Sequence, residues 1–299
     1  MKPPPLNNLW SDVIPREPEM RQFIWQVSLT TIPFVLIACF SLIFDWMTRF
    51  PVEIGVTTYE VGGGVLGVFL ALRTNSGYER WWEARKAWGG ITNQSRSLAT
   101  AGLAYGPTPQ WKTELIHWII LFAHATRHHL RGDQDFPELR GLCPADTAEQ
   151  LIRESHRPVF ISLKMSELLQ TAAASSAFPS VVLMQMERDR ISLIDYLGVS
   201  ERILSTPVPR AYTIVIRQFL VLFLAAFPFG ILQKATWLTP FITAAIAFPM
   251  LALDEIGTEL QNPFSKENVH QLPLDSFCQN LEECLRDLLE PTSEQINMR

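Results

Sequence analysis

Four histidines crowd one stretch of the chain: His117, His124, His128 and His129. A pair four residues apart shares one helix face, so His124 and His128 could hold a metal as the histidines of helical metalloproteases do. The glutamate that such a motif places between them is missing, because the stretch reads HATRHH, and packing histidines are the better-supported reading. Cys39, Cys143, Cys278 and Cys284 are scattered, and the spacing of the last two matches no zinc or redox motif, so reduced thiols are expected. The run Gly62-Gly63-Gly64 lacks the Lys-Ser/Thr and the strand context of a phosphate-cradling loop. Nothing here supports catalysis, so neither an enzyme nor a cofactor is expected.

The elements that must position these residues are set by where charge is absent. Of 299 residues, 47% are hydrophobic and only 18% charged, with a net charge of −5 that offers no attraction for a nucleic-acid backbone. From Gln22 to Phe44 there are 23 residues without a formal charge, enough for a helix to cross a hydrocarbon core about 30 Å thick. Trp25 and Trp46 sit near its ends as interfacial aromatics, and Pro33 is tolerated inside such a helix. A cleaved signal peptide is a poorer fit on length, on charge and on the lack of a small-residue cleavage site. Gln218–Gln233 and Ala235–Leu253 are two further uncharged runs, split only by Lys234. They read as a helical hairpin with Trp237 as anchor, bent near Pro228 and marked by Pro240 and Pro249.

The fourth candidate span is Val61–Leu72, VGGGVLGVFLAL, only 12 residues between Glu60 and Arg73. A helix starting near Tyr59 and running past Trp88 would leave the bilayer midway and continue into water. Gly62, Gly63, Gly64 and Gly67 permit close helix approach but weaken an isolated helix, so this one needs neighbours or lines something. Lys2, Arg16 and Arg21 before the first span, and Arg73, Arg80, Arg85, Lys86 and Arg96 after the second, place both termini and the middle region in the cytoplasm.

Between about Gly89 and Thr206 the pattern is polar and helical, with candidate helices Ile91–Ala104, Gln110–Leu130, Asp146–Ser155, Val159–Ala177 and Ser180–Leu197. A last amphipathic helix runs from Asp275 to Leu289 with Phe277, Leu281, Leu285 and Leu288 on one stripe. The start, Met1–Pro5, and the tail after Pro291 are expected to fray. The chain therefore divides into an N-terminal cytosolic segment (1–21), two spans (22–90), a cytosolic helical region (91–206), two more spans (207–254) and a C-terminal cytosolic segment (255–299).

The most unusual stretch is RTNSGYERWWEARKAWGG, residues 73–90, with Arg73, Tyr78, Arg80, Trp81 and Trp82 where a helix leaves the membrane. With its glycine-rich lead-in and the later LDEIGTELQNPF of residues 253–264, it resembles the bestrophin family, specifically the bacterial branch, over nearly the whole chain. The resemblance implies an all-α ion channel in the bacterial inner (cell) membrane, four transmembrane helices per subunit continuing into a cytosolic bundle, as a homopentamer around a central pore. Its partners are then its own copies, the lipid bilayer and small permeant ions, not nucleic acid.

In that family the second transmembrane helix lines a narrow apolar neck with residues at i, i+4 and i+8. Counting back from the arginine of the motif, these are Gly64, Val68 and Leu72, which also share one helix face. An apolar constriction gates by dewetting. Gly64 departs from the bulkier residue usual in the family, so the effective barrier is Val68 and Leu72, shorter and easier to cross. A second constriction, the cytosolic aperture, matches Val208 in Thr206-Pro207-Val208-Pro209, a loop stiffened by its prolines. Animal members bind calcium just after the matching Asn-Pro-Phe. Here Asn262–His270 holds one strong hard-cation ligand, Glu267, so calcium activation is not carried over. An uncharged neck does not choose an ion sign, and both an anion such as chloride and a cation such as sodium fit. The competing readings are a membrane-anchored scaffold or regulatory protein without conduction, and a membrane enzyme using the histidine helix with a metal. Midplane polar groups that a secondary transporter needs are missing.

Overall fold

The computed structural model describes residues 17–48, 56–174 and 179–289. These form nine α-helices and two single 3-10 turns, with no strand among the described residues. In chain order they are α1 (Pro18–Thr48), α2 (Val56–Tyr105), α3 (Pro109–Arg131), α4 (Ala145–Arg153), α5 (Arg157–Ala173), α6 (Ser180–Ser205), α7 (Arg210–Ala235), α8 (Thr239–Glu259) and α9 (Leu274–Leu289).

Two compact units share the chain. Of the described residues, the apolar unit takes 17–48, 56–81, 207–263 and 267–271; the second takes 82–174, 179–206, 264–266 and 272–289. In the apolar unit α1 packs on α7 and α8, which pack on each other. Its core joins Phe34 of α1, Tyr59, Leu66 and Leu70 of α2, Leu220, Phe223, Leu224 and Phe227 of α7, and Ala247 of α8. The outer faces of α1 and α7 leave Leu29, Leu36, Phe40, Val215 and Leu222 exposed, an apolar area too large for a water-facing surface. Pro18–Thr48 and Arg210–Glu259 are long and apolar enough to cross a membrane. The second stretch is folded in two at Thr236, where φ is 47° and the 3-10 turn Thr236–Leu238 starts α8. Pro33, Pro228 and Pro249 lie inside helices, and Pro240 opens α8, where its missing N–H costs nothing.

The second unit is built on α3, which packs against α5, α6 and α9. The Thr108 hydroxyl accepts the Trp111 N–H at 3.2 Å, Pro109 follows, and left-handed Gly132 (φ 71°) ends the helix. Between them nearly every residue from Leu115 to Leu130 is buried, polar ones included.

Several expected helices run longer than their punctuation suggests. α2 is one helix of 50 residues, about 75 Å at the standard rise, and absorbs the separate Ile91–Ala104 segment. Gly90 does not break it: a Cβ there would lie 2.4 Å from the Tyr196 ring, so the glycine admits a neighbour instead. α6 likewise passes Gly198 to end at Ser205. On α9 the buried stripe is Leu274, Cys278, Leu281 and Leu285. Phe277 is half-buried beneath the Arg85 guanidinium, 4.7 Å from its ring centre, and Leu288 is exposed. The extension of α5 to Ala177, the proline-rich start and the tail fall outside the described residues.

Candidate functional site

α2 presents two unlike faces within the apolar unit. Tyr59, Leu66, Leu70, Arg73 and Gly77 face inward. The Tyr59 hydroxyl donates to the Ala226 carbonyl at 2.8 Å, and its ring meets Phe223 and Phe227 edge-on. It fills the space that a side chain at Gly230 would need, where a Cβ would sit 2.0 Å from the ring. A Cβ on Gly63 would lie 3.1 Å from the Phe223 ring, and on Gly62 3.7 Å. Close approach, expected of all the glycines, is thus their role at these two positions. A Cβ on Gly64 or Gly67 would meet nothing within 4 Å.

The opposite face of α2 is uncovered. Val61, Gly64, Val65, Val68 and Leu72 are exposed, with Val68 at 59% and Leu72 at 55%, although each is apolar. Gly64, Val68 and Leu72 therefore lie on one open stripe, as their spacing of four predicts. The stripe continues through Asn75 to Glu79, both exposed, where the Asn75 amide donates to Glu79 Oε1 at 2.9 Å. From Val61 to Leu72 it carries no formal charge, and Glu79 is the first on this line.

The charge that sequence places right at the end of this apolar run turns away from it. Arg73 is 2% exposed and ion-paired with Asp254 of α8. Its second nitrogen donates to Thr258 Oγ1 at 2.8 Å. Arg217 of α7 binds the other oxygen of Asp254 at 2.9 Å and the same Thr258 hydroxyl at 2.9 Å. Gly257 makes room: its Cβ would lie 3.4 Å from the Arg73 chain. One turn along, a Cβ on Gly77 would press on Leu260 at 3.0 Å and on the Gly257 carbonyl at 3.2 Å. Arg80 reaches the Gln261 carbonyl at 3.4 Å, and Trp81 Nε1 donates to the His270 carbonyl at 2.9 Å. The first part of one stretch singled out in the sequence, residues 73–81, and the core of the other, residues 254–261, are thus two sides of one seam. Asp254, Thr258 and Arg217 were not singled out, although the first two lie inside the second stretch.

Tyr78 is half exposed and stacks on Trp81, ring centres 6.3 Å apart, while Trp82 is exposed at 47%. Val208 lies half-buried in the non-helical link between α6 and α7, and Pro209 directly precedes α7. Beyond Asn262, Lys266 binds Asp133 at 2.7 Å, and the Asn268 amide donates to the carbonyls of Glu259 and Asn262 at 3.0 Å each.

In the second unit the buried histidines of α3 are held by carboxylates. His124 Nε2 meets Glu282 at 2.8 Å, and His128 Nε2 meets Glu138 at 3.0 Å. The Arg127 guanidinium shares Glu138, and its charge opposes a cation at that point. His124 Nδ1 also lies 3.6 Å from Glu138, so His124 and His128 belong to one ion-pair network in which Arg127 already holds the carboxylate between them. Burial pushes the His124 pKa down despite the hydrogen bond to Glu282. Burial alone would raise the Glu138 carboxyl, but hydrogen bonds from its own backbone N–H, Arg127 and His128 hold it at about 2. All four cysteines are free; burial pushes the Cys278 thiol up to about 12, far from a reactive thiolate.

Comparison with known proteins bears on the whole chain. The profile described as bacterial/fungal bestrophin protein matches residues 19–287. A voltage-dependent anion channel-forming protein of Synechocystis is 34% identical over 97% of this chain and 95% of its own length. Another so named, from Nostoc, is 31% identical over 85% of this chain and 83% of its own length. A crystal structure of a variant bacterial bestrophin homologue from Klebsiella pneumoniae superposes with a TM-score of 0.82 at 24% identity, over 88% of this chain and 99% of that one, a likeness of fold.

Proposed function

The chain belongs to the bacterial and fungal bestrophin family and is an ion channel of the membrane, and we propose that it conducts as a homopentamer along the open stripe of α2. The observation that carries this reading is that stripe. An apolar face of Val61, Val65, Val68 and Leu72 left open opposite the packed face of Tyr59, Leu66 and Leu70 needs either lipid or copies of itself. The outer faces of α1, α7 and α8 serve as the lipid-facing surface, which leaves the α2 stripe for the axis.

In this reading there are four spans: α1, the first part of α2, α7 and α8. Residues 22–90 and 207–254 are the membrane parts, 91–206 the cytosolic helical region, and 1–21 and 255–299 the cytosolic ends, in a bacterial inner membrane. Val68 and Leu72 form the neck, widened by Gly64 at its third layer, and Val208 the cytosolic aperture. Conduction through the neck needs no ion-binding side chain, only wetting of an apolar ring. The cargo is small monovalent ions, chloride among them, in keeping with the names of the two cyanobacterial relatives. Glu79, first charge beyond the neck, sets a local preference for cations that competes with anion passage. No reaction is assigned to the chain.

The test is reconstitution in liposomes and the reversal potential under a salt gradient. Leu72→Ala and Val68→Ala are expected to raise conductance, and Gly64→Ile to lower it. Vesicles that stay ion-tight would point to a scaffold, and unchanged conductance in all three variants would remove the neck assignment.

A further inference from the structure

The histidine of α3 that forms part of a metal-type cluster is neither of the pair that spacing suggested. His129, in the last turn of α3, points Nε2 at Glu201 Oε1 of α6 at 2.7 Å. His156, the residue before α5, points its own Nε2 at the same oxygen at 2.8 Å. The two rings lie 4.4 Å apart, tilted by 32°, and the three ligand atoms all fall within 4.8 Å of one another. The geometry points to a binding site for a divalent transition-metal ion, zinc in class, held by His129, His156 and Glu201.

The chemistry of the set fits. Two neutral imidazoles and one carboxylate are a zinc donor set with a fourth position open to water. Ligands about 2.0–2.2 Å from a tetrahedral metal sit roughly 3.3–3.5 Å apart, so each histidine withdraws from Glu201 by about half an ångström to admit the ion. All three side chains are about a third exposed (29%, 38% and 33%), which gives the ion and its water a way in. The charge balance agrees. Among the described residues Glu201 pairs with these two histidines alone. The neighbouring cations are engaged elsewhere: Arg202 on Glu83 at 2.6 Å and Arg157 on the Gln134 carbonyl at 2.9 Å. His129 lies in the last turn of α3, and Glu201 one turn before the end of α6, so the partial negative ends of two helices face the position of the ion. His124 and His128 lack this arrangement because Arg127 already occupies Glu138, the carboxylate both approach. A bound ion ties together the ends of α3 and α6 and the start of α5. The site does not depend on how the chain conducts.

The experiment uses the full chain in detergent, stripped with chelator and titrated with Zn²⁺ alone by calorimetry, then with Co²⁺ followed by visible absorption. One ion per chain and tetrahedral cobalt bands are expected. Removing a direct ligand, in His156→Ala or Glu201→Gln, is expected to weaken binding at least about a hundredfold, the upper range for supporting residues. His117→Ala is expected to bind as the parent does. His156 lies outside the helices and is partly exposed, so its variant keeps the fold, checked by circular dichroism. No zinc bound by the folded parent, or equal affinity in the parent and both variants, would overturn the assignment.

Discussion

Asp254→Asn tests the seam that anchors α2. In the folded chain the Asp254 carboxylate receives both Arg73 and Arg217, and Thr258 Oγ1 receives the second nitrogen of each, at 2.8 and 2.9 Å. Asparagine keeps the shape but removes the charge and turns one acceptor oxygen into a donor, leaving two guanidiniums with one amide oxygen and one hydroxyl between them. Arg73 is 2% exposed, so its charge has no water to return to. Stranding one partner of a buried pair costs about 3–5 kcal/mol. Arg217 is half exposed and screened by solvent, which argues for the lower end, about 3 kcal/mol or roughly a 150-fold fall in the folded-to-unfolded ratio. Arg73→Met removes the stranded charge and leaves Asp254 with Arg217, so it is expected to cost only about 1–2 kcal/mol. The double variant should then be more stable than the sum predicts by about 1–2 kcal/mol. Urea titration in detergent, followed by tryptophan fluorescence, reads all four corners of this cycle, and liposome flux should fall with Asp254→Asn. An Asp254→Asn variant within about 1 kcal/mol of the parent, or strict additivity in the double variant, would refute the reasoning.

Other outcomes are expected from the same geometry. The Glu138 carboxyl, held at about 2 against an ordinary 4.5, stabilises the fold above about 4.5, and that contribution is lost as pH falls toward 2. The difference is worth about 3 kcal/mol, so urea midpoints measured across that window should fall in the parent and much less in Glu138→Gln. Gly230→Ala forces the Tyr59 ring from its seat and its hydroxyl from Ala226; a loss of about 1–3 kcal/mol should appear in the unfolding midpoint. Calcium titrated onto the reconstituted channel should leave the current unchanged, because the Asn262–His270 segment offers one strong carboxylate where calcium takes six to eight oxygens; steep activation would contradict this.

The open stripe of α2 was legible because helical spacing alone puts Gly64, Val68 and Leu72 on one face. The uncharged runs marked the long apolar helices α1, α7 and α8 because the absence of charge over some twenty residues is a local property. The extents of α2 and α6 were not legible. Gly90 and Gly198 look like helix ends in one dimension, yet Gly90 serves to admit Tyr196. The direction of Arg73 was equally hidden, since its partner lies 181 residues away.

By itself, then, the amino-acid sequence determined where the chain is apolar and where it is polar, the helical class and the two motif stretches. Each follows from neighbours along the chain: local charge density, helical period and residue type. Only the tertiary structure decided that the motifs face each other through Arg73 and Asp254. It alone showed that two of the four glycines of the 62–67 segment adjoin Phe223, and that His129, rather than His124 or His128, meets His156 and Glu201. These facts depend on distances between residues tens to hundreds of positions apart, and only packing sets such distances.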